Sequence, residues 1–167
     1  PRRGPGDGSA AVHNSGASSP ALFTTVGVHP TRCDAFEDSG DPEGYFERLV
    51  DFATRRKRGA EPSEASATSS AGKLFGRVVA VGECGLDYDR TQFCAKETQL
   101  KWFARHFDIA ERTGLPMFLH SRAAHEDFFR LLKAARGETE TESSPTKKKK
   151  QPPPCVVHSF DGTAAEA

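Results

Sequence analysis

Three apolar runs in this chain each close on a side chain able to hold a metal: VVAVGE on Glu83, LPMFLH on His120 and CVVHSF around His158. Amphipathic helices and half-exposed strands break up their apolar residues, whereas a run like these suits a strand covered on both faces, as in a parallel sheet packed between helices. The C-terminal ends of such strands share one mouth, which is where functional groups collect. Two imidazoles and a carboxylate at one mouth point to a metal site.

The segments between the runs support the same architecture. ALFTTVGVHP, from Ala21, reads as a further strand that Pro30 closes, with His29 at its C-terminal end. A helix is predicted from near Pro42 to Arg56, its apolar face built from Tyr45, Phe46, Leu49, Val50 and Phe52. After VVAVGE the chain reads as a turn, CGLDYDRTQF, and then as a helix from about Ala95 to Thr113 with Leu100, Phe103, Phe107 and Ala110 inward. Thr113, Gly114 and Pro116 supply its stop. A last helix runs through Phe128, Leu131 and Leu132. Four strands alternating with three helices make βαβ units, hence an α/β fold with a parallel sheet.

Three stretches do not fit this pattern. Residues 1–20 are rich in Pro, Gly, Ser and Ala and read as a disordered leader, leaving 21–167 as the domain. Residues 57–73 switch to small polar types, and 137–154 run from acidic to basic to proline; both read as disordered insertions. At 167 residues the chain is too short for a complete (β/α)8 barrel, which takes roughly 250.

Composition narrows the setting. Lys plus Arg and Asp plus Glu both number 23, so there is no global basic field, and any nucleic-acid contact must be local. Cys33, Cys84, Cys94 and Cys155 form no CxxC pair and suit a reduced, intracellular protein of nucleus or cytoplasm. No apolar run approaches 18 residues, so no membrane partner is expected.

Neutral imidazole and carboxylate suit Zn, Mn or Fe and, through the carboxylate, Mg. Glu83 has the further capacity to bridge two ions. His29 stands at the same sheet edge, where it either contacts a substrate oxygen or is a turn histidine fixed by Pro30. Arg122 either grips an anionic oxygen or is an exposed residue at a helix entrance. Asp87 and Tyr88, in GLDY, either orient the ligands or form the turn. His106, between Trp102 and Ile109 on the helix face, reads as a packed or solvated histidine rather than a ligand, and His125 as a helix-start residue. Lys147 to Lys150 read as a solvated run.

At these residues the chain resembles a known family. VGVHP, VVAVGECGLDYDR, LPMFLHSR and VVHSFDGT are similar, in this order, to the motifs of the TatD family of metal-dependent deoxyribonucleases, and QFCAKETQLKWF is similar to its eukaryotic TatD-like branch. The resemblance implies a TIM-barrel hydrolase of the amidohydrolase type that cleaves DNA phosphodiesters as an exonuclease. It implies two divalent ions, Mg2+ first with Zn2+ or Mn2+ as alternatives, DNA as the partner and no obligate protein partner. It makes Glu83, His120 and His158 metal ligands, with Glu83 catalytic.

Two family features have no counterpart in this chain: a His-x-His pair on the first strand and an aspartate ligand on a later one. The expectation is therefore a partial barrel, about strands three to six of eight, weakly active or inactive on its own. A metal-dependent amide or lactone hydrolase, and a non-catalytic remnant serving as a binding module, stay open as alternatives.

Overall fold

The computed structural model describes residues 22–54, 78–137 and 153–164. The leader 1–20 and the 57–73 insertion lie outside them, as does almost all of 137–154. Within them the chain forms β1 (Thr24–Val26), α1 (Asp34–Asp38), α2 (Pro42–Thr54), β2 (Val78–Asp87), α3 (Lys96–Thr113), β3 (Met117–Arg122), α4 (His125–Ala135) and β4 (Cys155–His158). The four strands make one sheet in the order β1-β2-β3-β4, every pair parallel, with helix in each crossover. This is the expected α/β fold with a parallel sheet.

Strand limits differ from the sequence reading in two instructive places. β1 is only Thr24–Val26, and His29 lies beyond it as the N-cap of a single 3-10 turn, Pro30–Arg32, where its side chain accepts from the Thr31 N–H. β2 instead continues through Glu83 to Asp87, so part of the segment read as a turn is strand. Gly85 and Asp87 imitate turn chemistry, but Cys84, Leu86 and Asp87 are fully buried, and burial decides. The β2–β3 register breaks between Gly82 and Cys84, so Glu83 sits at a bulge inside the strand, a device that re-aims a side chain.

Gly85 is where β2 and β3 touch most closely. It pairs with His120 at φ +145°, and a Cβ there would run into the His120 carbonyl oxygen and lie 2.8 Å from its carbonyl carbon. Gly85→Ala is therefore expected to destabilise the fold by about 1–3 kcal/mol through backbone strain and forced strand separation. Thermal unfolding checks this, and an unchanged midpoint would contradict the packing.

The core gathers around α3. Its buried stripe is Gln99, Trp102, Phe103, His106, Ile109, Ala110 and Thr113, repeating at three- and four-residue steps. The predicted stripe is rotated from this by a fraction of a turn: Phe103 and Ala110 belong to it, while Leu100 and Phe107 flank it half-buried. Trp102 stacks on Phe36 of α1 with centroids 3.8 Å apart, and its Nε1–H donates to Glu37. On α2, Phe46, Val50 and Ala53 are buried with Tyr45 and Leu49 alongside, whereas Phe52 is exposed. Salt bridges from Arg105 to Glu43 and from Arg112 to Glu47 lace the solvent side of the α2–α3 contact. Among the described residues no helix is long and apolar enough to cross a membrane.

Candidate metal centre

Parallel register puts three strands in one row: Gly85 of β2 opposite His120 of β3, and His120 opposite His158 of β4. Glu83 approaches that row from its bulge. His120 Nδ1 lies 2.9 Å and His158 Nε2 2.6 Å from Glu83 Oε1, and His29 Nε2 stands 3.5 Å from the same oxygen. Three histidines on three elements thus point one nitrogen each at a single carboxylate oxygen.

Their outer nitrogens are all engaged. His120 Nε2 faces Asp87 Oδ2 at 3.1 Å. His158 Nδ1 is 3.1 Å from Ser159 Oγ, and its ring stacks on Phe118 with centroids 4.6 Å apart. His29 Nδ1 takes the Thr31 N–H at 3.2 Å and lies 2.8 Å from the Thr31 hydroxyl. An Nδ1 that accepts a main-chain N–H carries no proton, so neutral His29 has its hydrogen on Nε2, facing the Glu83 oxygen.

His120 presents the opposite situation. Both of its nitrogens face carboxylate oxygens, and a neutral imidazole, with one hydrogen, satisfies only one of them. A cation between Glu83, His120 Nδ1 and His158 Nε2 satisfies the other and leaves the Nε2–H for Asp87, the carboxylate–histidine arrangement common behind metal ligands. Asp87 is fully buried; its Oδ2 also takes a long contact, 3.4 Å, from Arg90 Nη1, while its Oδ1 has no hydrogen-bond partner. The ligand atoms of Glu83, His120 and His158 lie within 4.8 Å of one another, as do those of His29, Asp87 and His120. The donor set thus fits a divalent ion.

Electrostatics follow from these contacts. Partial burial pushes the Glu83 carboxyl up, but hydrogen bonds from His120 and His158 outweigh it and hold the group below the usual carboxylate range. Burial drives the His29 imidazole below its ordinary value against the pull of Glu83. At neutral pH the cluster therefore offers an anion beside a neutral His29.

The remaining predicted residues separate. Asp87 joins the cluster as the last residue of β2. Tyr88 does not: its hydroxyl donates to Asp127 Oδ2 at 2.7 Å, tying the β2 end to α4. Arg122 ends β3 opposite Asp87 in the register and acts electrostatically on Asp161. Asp161 accepts the Ala123 N–H and stands 3.3 Å from His125 Nε2, closing the loops after β3 and β4. Sequence reasoning passed over Gln99. It is buried, accepts the Asp87 N–H through Oε1 and donates through Nε2 to the Asp87 and Cys94 carbonyls. A glutamine in a charged helix carries no pattern that marks it as buried.

A family model described as TatD related DNase matches residues 7–167. The Deoxyribonuclease Tat-D of Schizosaccharomyces pombe is 36% identical over 144 residues, which cover 86% of this chain and 37% of that protein. The 3'-5' ssDNA/RNA exonuclease TatD of Pectobacterium parmentieri is 39% identical over 144 residues, 86% of this chain and 40% of that protein. Among solved structures, a hydrolase TatD family protein from Entamoeba histolytica superposes with a TM-score of 0.57 at 32% identity, over 87% of this chain and 37% of that one. The chain thus spans about two-fifths of the length of these relatives.

Proposed function

Because the chain belongs to the TatD related DNase family, we propose that it contributes the metal-binding wall of a barrel that hydrolyses DNA phosphodiesters. The observation that carries this reading is the convergence of His120 Nδ1 and His158 Nε2 on Glu83 Oε1, at 2.9 and 2.6 Å. Glu83, His120 and His158 would hold the inner ion, and Glu83 can share a second. Two imidazoles favour Mn2+ or Zn2+ for the inner position, with Mg2+ suited to a more oxygen-rich one. Such ions, when bound, activate water and neutralise charge on a phosphate oxygen.

The chain's own residues do the rest. Asp87 accepts the His120 Nε2–H and so keeps Nδ1 turned inward. His29, protonated on Nε2 and uncharged, donates to a non-bridging phosphate oxygen without competing for the ion. Arg122, at the end of β3, adds a guanidinium whose fork matches phosphate. Contacts with the phosphate alone carry no base sequence, so DNA is degraded without sequence preference. Attack from strand ends, in the 3' to 5' sense named for the Pectobacterium relative, is the expected mode. Cysteines kept as thiols fit an intracellular setting.

The test is nucleotide release from end-labelled single- and double-stranded DNA by the longest protein carrying this chain, with Mg2+, Mn2+ or Zn2+ added to metal-stripped protein. Metal-dependent mononucleotide release from one end is the expected result. A protein that binds metal but is inert on DNA while opening amides or lactones would replace this reading with the other hydrolase. Absence of metal binding would leave a binding module.

A further inference from the structure

We propose that Gln99 and His106, both buried on α3, are positioning residues that hold the metal-facing and substrate-facing parts of the site from behind. The proposal rests on the reading of the Glu83 cluster as a metal centre. A buried amide or imidazole is costly unless its polar atoms are satisfied, so where those atoms are satisfied matters.

Gln99 spends its amide on one place. Its Oε1 accepts the Asp87 N–H at 2.8 Å, and its Nε2 donates to the Asp87 carbonyl at 3.0 Å and to the Cys94 carbonyl at 2.8 Å. One side chain thus holds both main-chain groups of Asp87, beyond the last β1–β2 pair at Val26 and Val81. With its backbone fixed, Asp87 presents Oδ2 to His120 Nε2 at 3.1 Å. The line runs from helix to strand end to carboxylate to ligand.

His106 does the equivalent for the neighbouring strand. Its Nδ1 lies 2.7 Å from the Trp102 carbonyl, which can only accept, so Nδ1 carries the hydrogen and Nε2 accepts the Val28 N–H at 3.0 Å. Val28 directly precedes His29, whose ring edge meets the His120 ring with centroids 4.7 Å apart. Gln99 and His106 are seven residues apart, two turns along one helix face. α3 thus locates Asp87 and His29 relative to each other.

A purely structural role makes both residues matter only through stability. Positioning makes their effects local and different. In the metal-free chain, Gln99→Met should shift the ring-nitrogen NMR signals of His120, and Co2+ affinity should fall about 10-fold or more. His106→Phe should instead move the His29 signals and leave Co2+ affinity unchanged. His106→Gln, whose amide oxygen can take the Val28 N–H, should restore them. Ile109→Val, on the same buried stripe, supplies a destabilised control. Where Gln99→Met does not fold, Gln99→Glu keeps size and the Asp87 N–H acceptor but sets a carboxylate against two carbonyls, and should show the same His120 shift. If the Gln99 variants alter His120 and Co2+ affinity no more than Ile109→Val does, the proposal fails. If the parent chain binds no Co2+, the metal reading fails, and the His120 signals still decide the role of Gln99.

Discussion

On the proposed function, replacing Glu83 with alanine in the longest protein carrying this chain is expected to abolish tight divalent-metal binding and to cut metal-dependent DNA turnover by about a thousandfold or more, since a positioned metal supplies several kcal/mol of charge stabilisation. The expectation rests on how the site is wired. His29, His120 and His158 come from three different elements, and the shared group among them is Glu83 Oε1. Removing it takes away the proposed anionic ligand and the point on which the histidines converge. Stability of the metal-free protein should change far less, because the Glu83 side chain is 31% exposed and lies outside the apolar core. Glu83→Gln, which keeps an oxygen but not the charge, should retain part of the affinity. Calorimetric titration with Mn2+ and Zn2+ beside the nuclease assay reads both. Metal affinity kept within about tenfold in Glu83→Ala, a loss of only 1.4 kcal/mol, would place the ion elsewhere.

What the sequence made legible was what period and run length encode. Uninterrupted apolar runs located β2, β3 and β4, and their parallel pairing followed from the helical stretches between them. The convergence of Glu83, His120 and His158 was legible because they stand at matching places in those runs. What stayed hidden depends on tertiary approach. The passage of β2 through Glu83 to Asp87 was obscured by Gly85, which the fold uses for contact with the His120 backbone and which sequence reads as a turn. The exact face of α3 was hidden because two of its buried positions are Gln99 and His106, polar residues that an apolar periodicity does not count. Phe52 misled in the opposite sense, as an exposed aromatic on α2. Side chains whose burial is justified by hydrogen bonds to distant backbone have no signature in a single sequence.

His106 also gives the fold a defined acid weakness. It is completely buried, and burial lowers its pKa from 6.5 to about 4, against the opposing hydrogen bond to the Trp102 carbonyl. In the unfolded chain the imidazole takes a proton as pH falls through 6.5, while in the native state it stays neutral until about 4. Between those values the unfolded state binds more protons, so native stability is full above 6.5 and declines as pH falls towards 4. At about 1.4 kcal/mol per pH unit the whole interval amounts to roughly 3 kcal/mol, a large part of a small domain's stability. Burial depresses His29 in the same direction, but it is only partly enclosed and remains in both proteins compared. The salt-bridged carboxylates Glu37, Glu43 and Glu47 have pKa values below the usual range, so their loss follows at more acid pH. His106→Gln, which can still accept the Val28 N–H but cannot titrate, should flatten the stability–pH curve across the upper part of the interval. Denaturant midpoints of the two proteins measured from pH 7 to pH 4.5, with metal removed, decide it: parallel curves would mean that His106 is not the group that senses acid.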